Sequence, residues 1–470
     1  MARKWWTLTA VVVGIFMLLL DVTIVNVALP DIQRAFGASL SDLQWVLDAY
    51  ALALASVLLT AGALADLWGR RMMFAAGAVI FTAGSLLCGL ATGPLFLSLA
   101  RGGQGLGGAA MFATSLALLS DAFRGRDRGV AFGVFGAVTG VALAVGPVVG
   151  GAITSGLSWR WIFLVNVPIG IAAIIVTLTK LDESRDPDAT RPDWLGFITF
   201  SGALGALVYG LINGADGWSQ TKVVATLIAA AVLLVAFFAI EVAQRRPMLD
   251  LSLFRKPTFN GGLFAAFGIS ASLISVLTYV VIYMQNVLHF SALETGLRTL
   301  FLTLSIFLTA GLAGRLTTVV PVRGMISSGF ALTGFGLLLM HGITPGSSWT
   351  HLIPGMIVCG IGGGLVNVPL ASTAVGVVEP ARAGMASGIN GTLRQVGVAT
   401  GIAALGSILA AVARVDGFVA GLNRVLLIAA IVAFASGLCS LVLIRARDFV
   451  PAEAEPAAVP EPLVPLADRP

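Results

Sequence analysis

Apolar residues run along this chain in blocks of about twenty, separated by short polar segments rich in glycine or arginine. A helix that crosses the hydrocarbon layer of a bilayer needs about 20 mostly apolar residues. Blocks of that kind lie at 6–29, 44–65, 72–92, 95–120, 130–154, 161–180, 194–213, 222–240, 259–284, 293–314, 324–342, 352–373, 384–412 and 422–444. The pattern predicts fourteen membrane-spanning helices, called span 1 to span 14 below. The first block exceeds the roughly 7–15 apolar residues of a secretory signal and lacks a small-residue cleavage site, so it is expected to stay as the first helix.

Charge tests the count. Cytoplasmic loops of membrane proteins carry an excess of Lys and Arg. With the N-terminus placed in the cytoplasm and the spans alternating, 20 basic residues fall on the cytoplasmic side, 5 on the other, and 3 (Arg101, Arg298 and Arg394) inside spans. This bias supports both the count and two cytoplasmic termini. It also accounts for the net charge of +5 without a nucleic-acid partner. Only 11% of residues are charged, against roughly 25% in soluble domains, so a soluble protein is excluded.

Little of the chain lies outside the spans. The longest polar segments are 181–193, 242–257 and a Pro/Ala-rich tail, 445–470, expected to be disordered and cytoplasmic. None is large enough for a catalytic domain. The four lysines include none in a phosphate-binding loop, so ATP hydrolysis is not expected. Cys88, Cys359 and Cys439 fall in spans and read as small apolar residues rather than a disulfide or metal set. No cofactor and no enzymatic activity are expected.

The chain repeats itself. "RGVAFGVFG" (128–136) matches "AGMASGING" (383–391) at an offset of 255, which also pairs "GLGG" (105–108) with "GIGG" (360–363) and Gly146 with Gly401. "LTAG" recurs at 59–62 and 308–311, offset 249. A parallel repeat of six spans around a midplane site is a transporter architecture. The expected organisation is a six-helix bundle (1–180), two inserted helices with flanking loops (181–257), a second six-helix bundle (258–444) and the tail.

The charges do not repeat. Asp21, in "LLLDVTIVNVALP", maps near Val276, and Arg101 maps onto Met356. Ionisable residues inside spans are functional candidates by default. Asp21 lies about 12 Å from the outer end of span 1 and Arg101 about 9 Å into span 4 from the same face, so the two are expected at similar depth. A permanent structural ion pair is the alternative. Asp48, about 5 Å from the outer end of span 2, is expected either to attract a cation, to hand protons inward, or to sit at the interface capped by water and amides. Asp66, Gly69, Arg70 and Arg71 cluster at the turn between spans 2 and 3, as a gate or as an interfacial charge cluster. Gly146-Pro147 predicts a kink in span 5. Glu294 and Arg298 read as a structural pair, and Arg394 as a cavity-lining group or one paired with a carbonyl.

Four segments carry a family resemblance: "GALADLWGRRMMF" (62–74), "LARGGQGLGGAA" (99–110), "GVFGAVTGVALAVGPVVGG" (133–151) and "WRWIFLVNVPIG" (159–170). Together with fourteen spans and "LDVTIVNVALP", they resemble the fourteen-helix drug:proton antiporters of the major facilitator superfamily over nearly the whole chain. Leu67, Ala142 and Asp48 depart from the usual pattern. The resemblance implies an all-α integral membrane protein with the major facilitator fold. It implies a proton-coupled exporter of lipophilic drugs or antibiotics, cationic ones included, working by alternating access. Asp21 and Arg101 would couple protons; Asn26, Asp48, Gln104, Asn166, Asn390 and Arg394 would line the substrate cavity; Asp66, Gly69, Arg70, Arg71, Gly146 and Pro147 would gate. Partners would be a small-molecule substrate, protons and the bilayer, with the protein a monomer in a bacterial inner membrane. A dedicated lipid or natural-product exporter, or a proton-coupled peptide importer, remains open on the same fold. A high Arg:Lys ratio, 24 to 4, hints at a high-GC bacterial genome.

Overall fold

The structure is a computed structural model in which residues 3–449 are described, except 125, 186–191, 245–248, 318 and 379–382. Most of the tail, 450–470, therefore lies outside the described residues. Fourteen helices among the described residues are long and apolar enough to cross a membrane, in the expected order. Several run beyond their apolar blocks. Span 1 covers Arg3–Phe36 and span 13 covers Gly384–Asp416, because helical hydrogen bonding continues past the apolar window into polar ends. Two spans are interrupted. Span 6 breaks at Val165 between Trp161–Leu164 and Asn166–Lys180. Span 9 carries a π-helical turn, Ser270–Ile274, between Pro257–Ile269 and Ser275–Asn286.

Packing reproduces the repeat. In the first six spans the pairs in contact include 1 with 5, 1 with 6, 2 with 4, 3 with 4 and 3 with 6. Adding eight to each number gives pairs that also pack: 9 with 13, 9 with 14, 10 with 12, 11 with 12 and 11 with 14. The two halves meet where span 5 lies on span 10, span 2 on span 13, and span 1 on the second part of span 9.

Glycine contacts refine the register. A Cβ on Gly105 would meet the Tyr50 carbonyl and one on Gly360 the Leu302 carbonyl, while Gly107 lies on Gly77 and Phe81 as Gly362 lies on Gly329 and Thr333. Span 4 thus equates with span 12 at the expected 255. Spans 2 and 3 equate with 10 and 11 at 252, since 302 − 50, 329 − 77 and 333 − 81 agree. The "LTAG" match at 249 is one helical turn out of that register. It arises because short small-residue strings recur freely in membrane helices.

Spans 7 (Trp194–Asp216) and 8 (Thr221–Ala243) form a hairpin, with span 7 lodged between spans 2 and 13. Its polar links run to the second half. Ser407 donates to the Leu211 carbonyl at 2.7 Å, and Arg414 donates to the Ala215 carbonyl at 2.8 Å and pairs with Asp216 at 2.7 Å. Towards span 2 the contact is apolar and aromatic, as in Trp45 against Tyr209. At the other end of the second half, the Thr258 hydroxyl, 2.7 Å from Asp448, holds that carboxyl below the usual carboxylate range and fastens the end of span 14 to the start of span 9.

Candidate functional site: a sealed ionic cluster beneath a closed face

Asp21 and Arg101 do more than share a depth: they form an ion pair, and both side chains are essentially inaccessible to solvent. Leu18, Ile24 and Val25 keep the surrounding face of span 1 apolar and buried. The carboxylate is therefore held by polar groups from other spans. Gln104 donates to Asp21 Oδ1 at 2.8 Å and Asn166 donates to the same oxygen at 3.3 Å. Arg101 donates in turn to Gln104 Oε1 at 2.6 Å and to the Val46 carbonyl at 3.2 Å, with its guanidinium 4.2 Å from the Tyr50 ring centre. Gln104 also donates to Ser85 Oγ at 2.8 Å. Spans 1, 2, 3, 4 and 6 all contribute. In the second half, the equivalent Val276 and Met356 are buried and apolar, so the cluster has no counterpart there.

Separation of two charges from water is repaid only when geometry and extra hydrogen bonds satisfy both. This cluster meets that condition through Gln104, Asn166 and the Val46 carbonyl. The sequence reading missed Ser85 and Tyr50; a serine in an otherwise apolar span was the available signal.

The cluster lies below a closed face. On the face opposite the chain termini, bonds cross between the halves. Asn26 accepts from Thr278 at 2.8 Å, Gln285 donates to the Val27 carbonyl at 2.7 Å, and Asn286 donates to Gln33 at 2.9 Å. Gln44 donates to the Ile402 and Ala403 carbonyls at 3.0 and 3.1 Å, and within the second half the Tyr279 hydroxyl donates to the same Ile402 carbonyl. Above them a cleft of about 540 Å³ opens on that face, bordered by Gln33, Gln44, Asn213, Asn286 and Arg414. Backbone also meets across the halves. A Cβ on Gly151 would come 2.5 Å from the Ala292 carbonyl oxygen, and one on Gly296 would come 2.3 Å from the Pro147 carbonyl oxygen. Gly146 serves a different contact, within one half, where a Cβ would lie 1.8 Å from Thr23 Oγ1. Pro147 is inside the span 5 helix.

Asp48 departs from its expected setting. It is fully buried, and neither carboxyl oxygen has a hydrogen-bond partner among the described residues. The estimate of a shallow, water-capped position counted residues from the end of the apolar block, but span 2 begins at Leu40, and spans 7 and 13 pack against it.

At the turn after span 2, Arg70 pairs with Asp66 at 2.9 Å and with Asp121 of span 4 at 2.5 Å. The side-chain partners of Asp66 and Arg70 all belong to the first half, and the Arg70 amide donates to the Ser184 carbonyl at 2.9 Å in the segment that follows span 6. Glu183 accepts from the Arg71 and Met72 amides at 2.9 and 3.2 Å, capping span 3. Arg71 also donates to the Leu181 carbonyl at 3.2 Å. Asp121 and Glu183, both missed in the sequence, complete this cluster. Gly69 has φ 114, and a Cβ there would lie 2.5 Å from the Glu183 carboxyl carbon. Gly69→Ala is therefore expected to cost about 1–3 kcal/mol in backbone strain and to dislodge Glu183. Thermal unfolding in detergent should show a melting temperature lowered by several degrees.

The remaining candidates separate. Gln104 and Asn166 belong to the Asp21 cluster, and Asn26 to the seam between halves. Asn390 is buried and its Nδ2 lacks an acceptor. Arg394 is only partly buried and donates to Asn367 Oδ1 at 2.6 Å, an amide rather than the carbonyl considered above. Glu294 acts chiefly as the capping residue of span 10, accepting from the Ser291 amide at 2.9 Å, while its separation from Arg298 is 3.9 Å.

Comparison with known proteins agrees with this architecture. The family model described as "Major Facilitator Superfamily" matches residues 11–402 and 263–468. The chain is 38% identical over 407 residues to "Multidrug resistance protein Stp" of Mycobacterium tuberculosis, covering 86% of this chain and 76% of that protein. It is 36% identical over 412 residues to "Puromycin resistance protein pur8" of Streptomyces alboniger, covering 86% and 82%. Among solved structures it resembles the human organic anion transporter MFSD10, with a TM-score of 0.63 at 15% identity, over 93% of this chain and 99% of that one; this likeness speaks for the fold. By its helices, their pairing and its relatives, the chain is a multi-pass membrane transporter, not an enzyme, and belongs to the major facilitator superfamily.

Proposed function

We propose that the protein exports lipophilic drugs or antibiotics in exchange for protons, by alternating access, across a bacterial inner membrane with both termini in the cytoplasm. The relatives' names speak of drug resistance, and a transporter confers resistance by removing the drug. The distribution of basic residues supports the orientation. The bonds that join the halves at the far face fit the stage at which an exporter takes substrate from the cytoplasm.

The observation that carries the proton step is Asp21, sealed among Arg101, Gln104 and Asn166. It sits five residues, about 7.5 Å along the axis, from Asn26, whose bond to Thr278 joins the halves. Parting of spans 5 and 10 and of spans 2 and 13 breaks the cross-half bonds and lets external water reach the carboxylate. A proton taken up there removes the charge that holds Arg101. The cluster loosens, and substrate leaves. When the far face closes again, the proton departs to the cytoplasm and the ion pair re-forms. Asp66, Gly69, Arg70 and Arg71 act as the cytoplasmic latch of the outward-facing state, in which Asp66 or Arg70 exchanges its first-half partner for one across the seam.

Proteoliposomes with an acidic lumen test this reading. They are expected to accumulate ethidium and to alkalinise the lumen as they do so. A protonophore should abolish both. Accumulation insensitive to the protonophore would remove proton coupling, and no flux across a panel of lipophilic drugs would remove export. Asp48, buried without a hydrogen bond among the described residues and one turn from the cross-half contact of Gln44, serves as a second carrier or as a cation site. Asp48→Asn is expected to lower ethidium accumulation. Sparing of neutral substrates would assign it to cations, and equal loss would assign it to protons.

A further inference from the structure

Among the described residues, Arg394 is a cation within a span that has no carboxylate within 4 Å. Span 13 carries it about 16 Å along the axis from Ala383. Its Nη2 donates to Asn367 Oδ1 at 2.6 Å. Asn367 cannot balance the charge, and its own Nδ2 is committed to the Gly363 carbonyl at 2.8 Å. That commitment turns the amide oxygen towards the guanidinium and fixes its direction. One turn earlier on the same face of span 13 lies Asn390, 7% exposed, whose Nδ2 has no acceptor among the described residues.

The arrangement is a set of donors without an acceptor. A guanidinium has five N–H groups in a fixed fork and favours bidentate contact with a carboxylate. An unbalanced charge at membrane depth is expensive and marks a ligand pathway more often than a packing role. Arg101, in the other half, shows the balanced case: its carboxylate is supplied by the protein. Arg394 differs in being partly open, so an outside group can reach it. Asp48, also without a partner among the described residues, is by contrast sealed in this conformation and reachable only after the halves part.

We propose that Arg394 and Asn390, with Asn367 as a positioning residue, form a subsite for the anionic group of the transported molecule, a carboxylate or ionised phenol on a lipophilic ring system. The proposal rests on the export reading and names a substrate class for it.

Equilibrium binding tests it. The full-length protein is placed in phosphatidylcholine nanodiscs at pH 7.5, and binding of pyrenebutyrate is compared with that of pyrenebutanol, its neutral analogue, by fluorescence anisotropy. The wild type is expected to bind the acid at least tenfold more tightly than the alcohol. Arg394→Gln should abolish that preference and leave alcohol binding unchanged. Arg394→Lys should keep only part of it, because an ammonium lacks the planar fork. Asn390→Ala should weaken the acid severalfold. Equal affinities in the wild type, or parallel loss of both probes in Arg394→Gln, overturn the subsite. So does abolition of acid binding by added phosphatidylglycerol, which would give Arg394 to a lipid phosphate. Export of ethidium without any acid preference would overturn this proposal alone, whereas selective acid binding without pH-driven flux would overturn the proton-coupled reading alone.

Discussion

Asp21→Asn is expected to abolish uphill, pH-driven export while substrate still equilibrates down its own gradient. The amide keeps the shape of the carboxyl group but cannot gain and lose a proton in the working range. The substitution also leaves Arg101 as a buried guanidinium without its counter-charge. Breaking a buried pair in this way costs roughly 3–5 kcal/mol, so a lowered melting temperature is expected as well. The double variant Asp21→Asn with Arg101→Gln separates the two effects. It removes both charges, and stability should recover most of the loss, while pH-driven accumulation stays at the background of empty vesicles. Accumulation against a gradient by either variant would take the proton-carrying role away from Asp21. Restored transport in the double variant would make the pair purely structural.

Gly151→Leu is expected to hold the protein open at the face opposite its termini. Its Cβ would sit 2.5 Å from the Ala292 carbonyl oxygen and 2.7 Å from Leu293 Cα, both in the other half. A side chain there prevents span 5 from seating on span 10, yet has free space once the halves part. Transport should fall at least tenfold with little loss of folded protein. Gly146→Leu gives the contrast. Its clash is with Thr23 of span 1, in the same half, so it strains every conformation, and overpacking of that kind costs typically 1–3 kcal/mol. The readout is a cysteine introduced by Asn286→Cys, in a background where Cys88, Cys359 and Cys439 are replaced by alanine. Labelling by a membrane-impermeant maleimide should speed up severalfold with Gly151→Leu and not with Gly146→Leu. Unchanged labelling with Gly151→Leu would mean that the close approach of spans 5 and 10 does not control that face.

Much of this protein was legible from its sequence alone. The number, order and approximate limits of the spans follow from apolar blocks, because the bilayer sets one length for all of them. The repeat was visible in small residues, because helices that touch along their backbones need glycine at the contact, and Gly105, Gly107, Gly360 and Gly362 mark such contacts in both halves. Equal depth of Asp21 and Arg101 followed from counting along two helices. Rotation about each helix axis and the neighbours on each face were decided only by tertiary packing. That is why Gln104 and Asn166 prove to be ligands of Asp21 rather than free cavity groups. It is why Asp121 and Glu183, from loops and ends distant in sequence, complete the turn around Gly69. It is also why Asp48 is sealed: spans 7 and 13 pack against span 2, and no local pattern around residue 48 shows which helices lie against it. Arg394 marks the limit most clearly, since its lack of a counter-charge is a property of its surroundings, and its residue type would serve equally well in a paired one.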